Sequence, residues 1–207
     1  MEDITGMRLK DIIDLDKETK QYFGRTLIKF GVMSAFLTSC VNGDLHMGNV
    51  FFYLNNDDPN KPKYQVGIID YGLCFFPSPK NQMEYYKFFY NIQVKSEYNK
   101  IKEIVPILIK NKEYYYTMNV ERRENFLLAV KDCIKNYGQT DFDIDFFMNL
   151  SKIFKSFNIL FTTEFNNICM SLQITRSLGT TLCESIYKTQ HDIMNDFIHL
   201  HKLLEIE

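Results

Sequence analysis

The chain has 207 residues, 45% of them hydrophobic, with 18 Phe, 13 Tyr and no Trp, so it can bury a real core and is not a disordered polymer. A net charge of −2 and a pI near 6.1 exclude the strongly basic balance of a general nucleic-acid binder. Five cysteines, an odd number without a C-x-x-C pair, argue against a disulfide framework or zinc site; with no signal-peptide pattern at Met1-Glu2-Asp3-Ile4 and no run near the ~18 apolar residues of a membrane span, a soluble chain in a reducing, cytoplasmic compartment is expected.

Residues 1–15 are short and mixed, with Gly6 as a break, and read as a connector entering a domain. Asp16 is positioned as a helix N-cap with acidic Glu18 in the first turn. Phe23, Leu27, Phe30, Met33 and Leu37 recur at three- and four-residue spacing, one face of an amphipathic helix that Asn42-Gly43 is expected to stop. Val50–Leu54 and Tyr64–Ile69 are β-rich runs flanking a polar segment from Asn55 to Lys63, so they predict a hairpin with a long tip. Antiparallel pairing brings Asn49, just before the first strand, to the same end as Asp70, just after the second.

After Gly72 the chain reads as helical throughout. Ser78-Pro79 caps a helix over about 79–94, and Ser96 starts another whose apolar face includes Ile101, Ile104, Val105 and Leu108, with Pro106 as a kink. Helices follow at 121–137, closed by Gly138, and from Asp143 to Phe157. Thr163 caps a long helix carrying Phe165, Ile168, Leu172 and Leu178, with Gly179 as a weak point. A last helix presents Ile193, Phe197, Leu200 and Leu204. The aromatic run Tyr85–Tyr90 reads as core with a snorkelling lysine. Tyr114-Tyr115-Tyr116 suggests a loop or helix edge without a role, and His199 and His201, two apart on a helix, point away from each other and do not form a metal pair.

The chemistry concentrates in two loops. In Asn42-Gly43-Asp44-Leu45-His46-Met47-Gly48-Asn49, an Asp is followed five positions later by Asn, the D-x-x-x-x-N core of a kinase catalytic loop. Ile69-Asp70-Tyr71-Gly72 is an Asp-aromatic-Gly triplet following an apolar strand, the pattern of the accompanying metal loop. In that pattern Asp44 orients an acceptor hydroxyl and takes its proton, while Asn49 and Asp70 offer hard oxygens to Mg²⁺ beside ATP. Gly72 lets the backbone turn away from the metal, and His46 either braces the loop by hydrogen bonding or approaches the phosphates. Singly, Asp44 and Asn49 could be turn or strand-end residues; the conjunction with Asp70 makes that reading weaker.

These residues resemble the ABC1 (UbiB/ADCK-type) atypical kinases. N-G-D-L-H-M-G-N here stands against that family's H-A-D-x-H-P-G-N, and Ile69-Asp70-Tyr71-Gly72 against its (I/L)-D-F-G. Met1–Gly6 looks like the end of the family's hinge strand, and Leu160–Cys183, with Glu164, Leu172 and Leu178, like its late helical segment. Asn42 replaces the first His and Met47 the Pro, while the lysine-bearing N-terminal extension, Ala-rich loop and phosphate-binding lysine have no counterpart. The resemblance implies a mainly α (α+β) kinase-like C-lobe spanning 1–207 without its N-lobe: a connector over 1–15, a catalytic and metal-loop hairpin over 42–72, and a helical part over 79–207. It implies catalytic Asp44 and His46, nucleotide-site residues Asn49, Asp70 and Gly72, Mg²⁺ and ATP as cofactors, and a protein partner or second polypeptide on the face where an N-lobe docks. Two other functions compete: a non-catalytic, pseudokinase-like binding module, and a remnant of the choline or aminoglycoside kinases, which share H-G-D-x-H-x-x-N.

Overall fold

A computed structural model describes residues 5–38, 40–55, 60, 62–90, 100–137 and 144–183. The fold is mainly helical, with two small antiparallel ladders beside one long helix. The first turn of helix, α1 (Leu9–Ile12), lies inside the segment expected to be a plain connector. Just before it, Met7 bridges Phe52 through two backbone hydrogen bonds of 2.8 and 2.9 Å, so the connector enters along a strand edge.

Helix α2 (Lys17–Phe36) begins as expected: the Asp16 side chain accepts from the Thr19 amide. It ends earlier than Asn42-Gly43. The buried Gln82 side chain donates to the carbonyls of Ala35 and Thr38, so tertiary contacts satisfy groups that a continuing helix would have used itself. The chain instead extends into β1 (Val41–Asn42), crosses the catalytic-loop motif and a 3₁₀ turn (Met47–Asn49), and forms β2 (Val50–Leu54). β3 (Tyr64–Ile68) pairs with β2 in the expected hairpin, with Val50 opposite Ile68 and Leu54 opposite Tyr64. The chain is not helical directly after Gly72: β4 (Cys74–Phe75) pairs with β1, placing Asn42 opposite Cys74. Two residues per strand are too few for alternation to announce either element.

The helical part comprises α3 (Pro79–Tyr90), α4 (Ile101–Ile104), a 3₁₀ turn (Val105–Leu108), α5 (Lys112–Thr117), α6 (Val120–Tyr137), α7 (Ile144–Ser156) and α8 (Thr163–Thr180). Pro106 breaks the helix into the 3₁₀ turn rather than merely kinking it. Thr162, not Thr163, caps α8, its side chain accepting from Phe165. The expected helix start at Ser96, the stop at Gly138, Asp143, the opening residues 1–4 and the helix bearing Ile193 to Leu204, with His199 and His201, lie outside the described residues.

Two hydrophobic clusters share α2. The larger packs its C-terminal half against α3 and the later helices, with Tyr85, Phe88, Phe89, Phe126, Phe146, Phe154 and Phe165 fully enclosed. Tyr85, Tyr86, Phe88 and Phe89 thus form core while Lys87 is exposed, as the aromatic run predicts. Of the tyrosine triplet, which lies in α5, Tyr115 is buried and its two neighbours are exposed. The smaller cluster joins Ile12, Phe23 and Leu27 to Leu45, Val50 and Phe52, so the catalytic-loop motif is anchored in core at Leu45. Helices α2 and α8 cross on glycines. A Cβ on Gly24 would lie 2.6 Å from the Gly179 carbonyl oxygen, and one on Gly179 would lie 2.8 Å from that of Gly24. Gly179 is therefore a close-packing position rather than a weak point.

Candidate active site

The site is built where the two ladders meet. Asn42, only 1% exposed at the end of β1, uses both ends of its carboxamide. Its Oδ1 accepts from the Asp44 amide at 2.9 Å, and its Nδ2 donates to the Asp70 carbonyl at 3.0 Å. The Gly43 amide donates to the Leu73 carbonyl at 2.9 Å, a second link between the same loops. One side chain and one backbone bond thus fix the Asp44 turn against the Asp70 turn.

The hairpin supplies the third side. The Ile69 amide donates to the Asn49 carbonyl at 2.9 Å, extending the β2–β3 ladder one step beyond Val50 and Ile68. Asn49 and Asp70 therefore sit at the same hairpin end. Asn49 is 8% exposed, and its Nδ2 is buried without a hydrogen-bond partner among the described residues. An orphaned buried amide group is costly in a native fold. Rotating the amide would exchange its oxygen and nitrogen, leaving an oxygen where the unpartnered nitrogen stands. Together with the exposed Asp70 carboxylate, that donor set fits a hard cation such as Mg²⁺. Among the described residues no group of three or more His, Cys, Asp or Glu side chains could hold a metal, so a metal here would draw on the Asn oxygen and on ligands from outside the chain.

Asp70 is held in a left-handed conformation, φ 66°, that few non-glycine residues adopt. Its Oδ1 accepts from the Gly72 amide at 2.9 Å. A Cβ on Gly72 would lie 3.0 Å from that oxygen, and among the described residues no glycine has positive φ. Gly72 thus serves close approach to the carboxylate rather than a backbone reversal. His46 Nδ1 accepts from the Gly48 amide at 3.1 Å, a bond within the loop. Asp44 and His46 are both exposed.

Sequence reasoning missed Arg8. Its guanidinium stacks 3.6 Å from the Phe51 ring centroid and donates to the Gly48 carbonyl, bracing the Asp44–Asn49 loop from the entering connector. Forty positions separate the two residues, and nothing in the local pattern marks the pair.

A strand-flanked D-x-x-x-x-N loop and a following Asp-aromatic-Gly loop, both tied to a helical body, define a kinase-like lobe. A family model described as the ABC1 atypical kinase-like domain matches residues 1–105, which contain both loops and half the chain. The protein belongs to the ABC1 atypical kinase-like family. No curated protein matches it significantly.

Proposed function

We propose that this chain forms the metal-binding half of a Mg²⁺–ATP-dependent phosphoryl-transfer site. The observation that carries the reading is the pairing of Asn49 and Asp70 at one hairpin end, with the Asp44 turn tied to the Asp70 turn through Asn42 and with Asn49 carrying a buried, unpartnered amide. In this reading Asp44 orients an acceptor hydroxyl and takes its proton, and its exposure leaves room for that acceptor. Asn49 and Asp70 hold Mg²⁺, which when bound offsets charge on the phosphates. Asn42 keeps the base and the metal loop at fixed spacing, so reorganisation during transfer is small. His46 positions the loop through Gly48 rather than touching the reacting atoms.

Beside the metal loop, Tyr71, Leu73 and Phe76 are exposed, Phe76 by 73%. This apolar surface supports an N-lobe or partner protein covering the nucleotide from that side. The same exposure supports a second reading, in which the lobe binds a partner without turnover. Among the described residues no helix is long and apolar enough to cross a membrane.

The test is thermal stabilisation by ATP and ADP, with and without Mg²⁺, repeated on Asp70→Ala. A ligand that binds only the folded state must raise stability by mass action. A Mg²⁺-dependent rise abolished in the variant supports the nucleotide half-site. No shift at millimolar nucleotide hands the lead to the binding-module reading.

A further inference from the structure

A cleft runs along α8. Its outer part, about 710 Å³, lies between α7 and α8, with Met148, Phe165 and Met170 among its walls. Its inner part, about 490 Å³, adjoins the outer at Ile144 and Ile174 and reaches Leu45 and His46 of the D-x-x-x-x-N loop. Ile144, at the start of α7, shares the inner part with Thr180 at the end of α8, whereas Lys155, near the end of α7, shares the outer part with Phe165. The two helices are therefore antiparallel, and Lys152 and Lys155 mark the end of the cleft nearest the start of α8. Among the described residues no Asp or Glu lines either part. Ile144, Met148 and Met170 are exposed there, a contiguous apolar surface of the kind that calls for a partner.

The chain itself carries a segment of matching pattern. The Cys183 amide donates to the Gly179 carbonyl at 2.9 Å, and Leu182 and Cys183 are buried, so the chain leaves α8 within one turn of Thr180 and the inner end of the cleft. In residues 184–207, Ile193, Phe197, Leu200 and Leu204 recur at helical spacing, and Glu205 and Glu207 follow them. At about 100° per residue, Lys202 falls on the side opposite that apolar face. A segment that doubles back from Thr180 runs antiparallel to α8, the ordinary arrangement of consecutive helices, and carries its acidic end to Lys152 and Lys155. The lengths agree: Ile193 to Leu204 makes about 16 Å of helix, against about 21 Å from Asn166 to Thr180 on α8.

We propose that residues 184–207 of the same chain seat in this cleft, apolar face against Met170 and Ile174, with Glu205 and Glu207 at Lys152 and Lys155. The seat gives an amphipathic face the burial it needs and gives both lysines a counter-charge. Its inner end meets Leu45 and His46, so the segment supports the loop from Asp44 to Asn49.

The chain has no Trp, so Phe197→Trp makes a single reporter in the whole chain. Its emission is expected to be that of a buried indole, with acrylamide quenching several-fold below that of free tryptophan amide. An indole quenched like the free amide in a folded chain would overturn the seat. Shielding lost on dilution would overturn it in favour of a second copy's segment. Met170 is exposed among the described residues, so an open cleft tolerates Met170→Lys. Added to Phe197→Trp, with cooperative unfolding retained, this change is expected to raise quenching several-fold and to speed hydrogen exchange at the Gly48 and Asn49 amides. Unchanged quenching would place the segment elsewhere and sink the proposal, and raised quenching with unchanged exchange would deny the support of the loop. Lys152→Glu with Lys155→Glu is expected to lower the folded-to-unfolded ratio about fivefold, and Glu205→Lys with Glu207→Lys in the same chain to restore it. Losses that merely add would rule out the antiparallel seating. None of these readouts needs nucleotide, so they stand or fail apart from the phosphoryl-transfer reading.

Discussion

Asn42 reaches across 28 residues of chain to donate to the Asp70 carbonyl at 3.0 Å, while its oxygen receives the Asp44 amide. The position where the family pattern carries His therefore holds a residue that joins the two loops directly. Asn suits this task because one short side chain offers a donor and an acceptor in a fixed plane. Removing it takes these partners from the Asp70 carbonyl and the Asp44 amide. Asn42→Ala is expected to cost roughly 1 to 3 kcal/mol, about 0.5 to 1.5 for each of the two lost bonds. Urea denaturation measures this, and a cost under about 0.5 kcal/mol would show the bridge to be idle. Asn42→Asp keeps the acceptor but turns a carboxylate toward the Asp70 carbonyl, so it should not rescue the loss.

Asp70 separates fold from function. Asp70→Asn keeps the acceptor for the Gly72 amide and tolerates the left-handed backbone, so the midpoint of unfolding should change by less than about 1 kcal/mol equivalent. The same change removes a charge that a divalent cation needs. Any Mg²⁺-dependent nucleotide stabilisation seen in the parent should disappear. An equal Mg²⁺ effect in both proteins would remove Asp70 from the metal site.

These two residues also show what was legible in advance. Asp44, Asn49 and Asp70 stand in short contiguous motifs, and the hairpin between Asn49 and Asp70 has apolar runs long enough to read, so the meeting of those two follows from antiparallel pairing. The β1–β4 ladder was invisible because each strand has only two residues and the partners are distant in sequence. The early end of α2 was equally hidden, since Gln82, on another helix, supplies the bonds that stop it. Gly179 looked like a flaw because propensity is local, whereas its reason is the backbone of Gly24 on a facing helix. Local pattern announced the two motifs and the hairpin; tertiary contacts set the boundaries.

The α2–α8 crossing predicts a reversal of helix propensity. Gly→Ala within a helix usually gains about 1 kcal/mol. At Gly24 the added Cβ would meet the Gly179 carbonyl oxygen at 2.6 Å and Cys183 Cβ at 2.7 Å, and a backbone atom cannot rotate aside. Gly24→Ala should therefore destabilise by about 1 to 3 kcal/mol, as overpacked cores do. Calorimetry showing a higher melting temperature would mean the two helices are farther apart than this packing requires.

Arg8 predicts that Lys is a poor substitute. Lys keeps the charge near the Gly48 carbonyl but lacks the planar group that stacks on Phe51. Arg8→Lys and Arg8→Ala should both raise hydrogen exchange at the Gly48 and Asn49 amides, with Ala the larger effect. Full retention of protection in the Ala variant would assign the loop's rigidity to the hairpin alone.

Asp16 predicts an acid-sensitive start to α2. Its carboxylate accepts from the Thr19 amide at 2.9 Å and from the Thr19 hydroxyl at 2.7 Å, and these bonds hold it below its ordinary value of 3.8. A carboxyl lowered on folding stabilises the native state fully above its unfolded pKa, and the contribution fades as pH falls through the folded value. The cap should thus be intact at neutral pH and fail only below about pH 3.8. Asn at this position still accepts from Thr19 but cannot titrate. Asp16→Asn should therefore flatten the stability-against-pH curve in that acid window while leaving neutral stability nearly unchanged. Denaturation midpoints from pH 2 to pH 7 would check it, and parallel curves for the two proteins would deny Asp16 any part in the acid response.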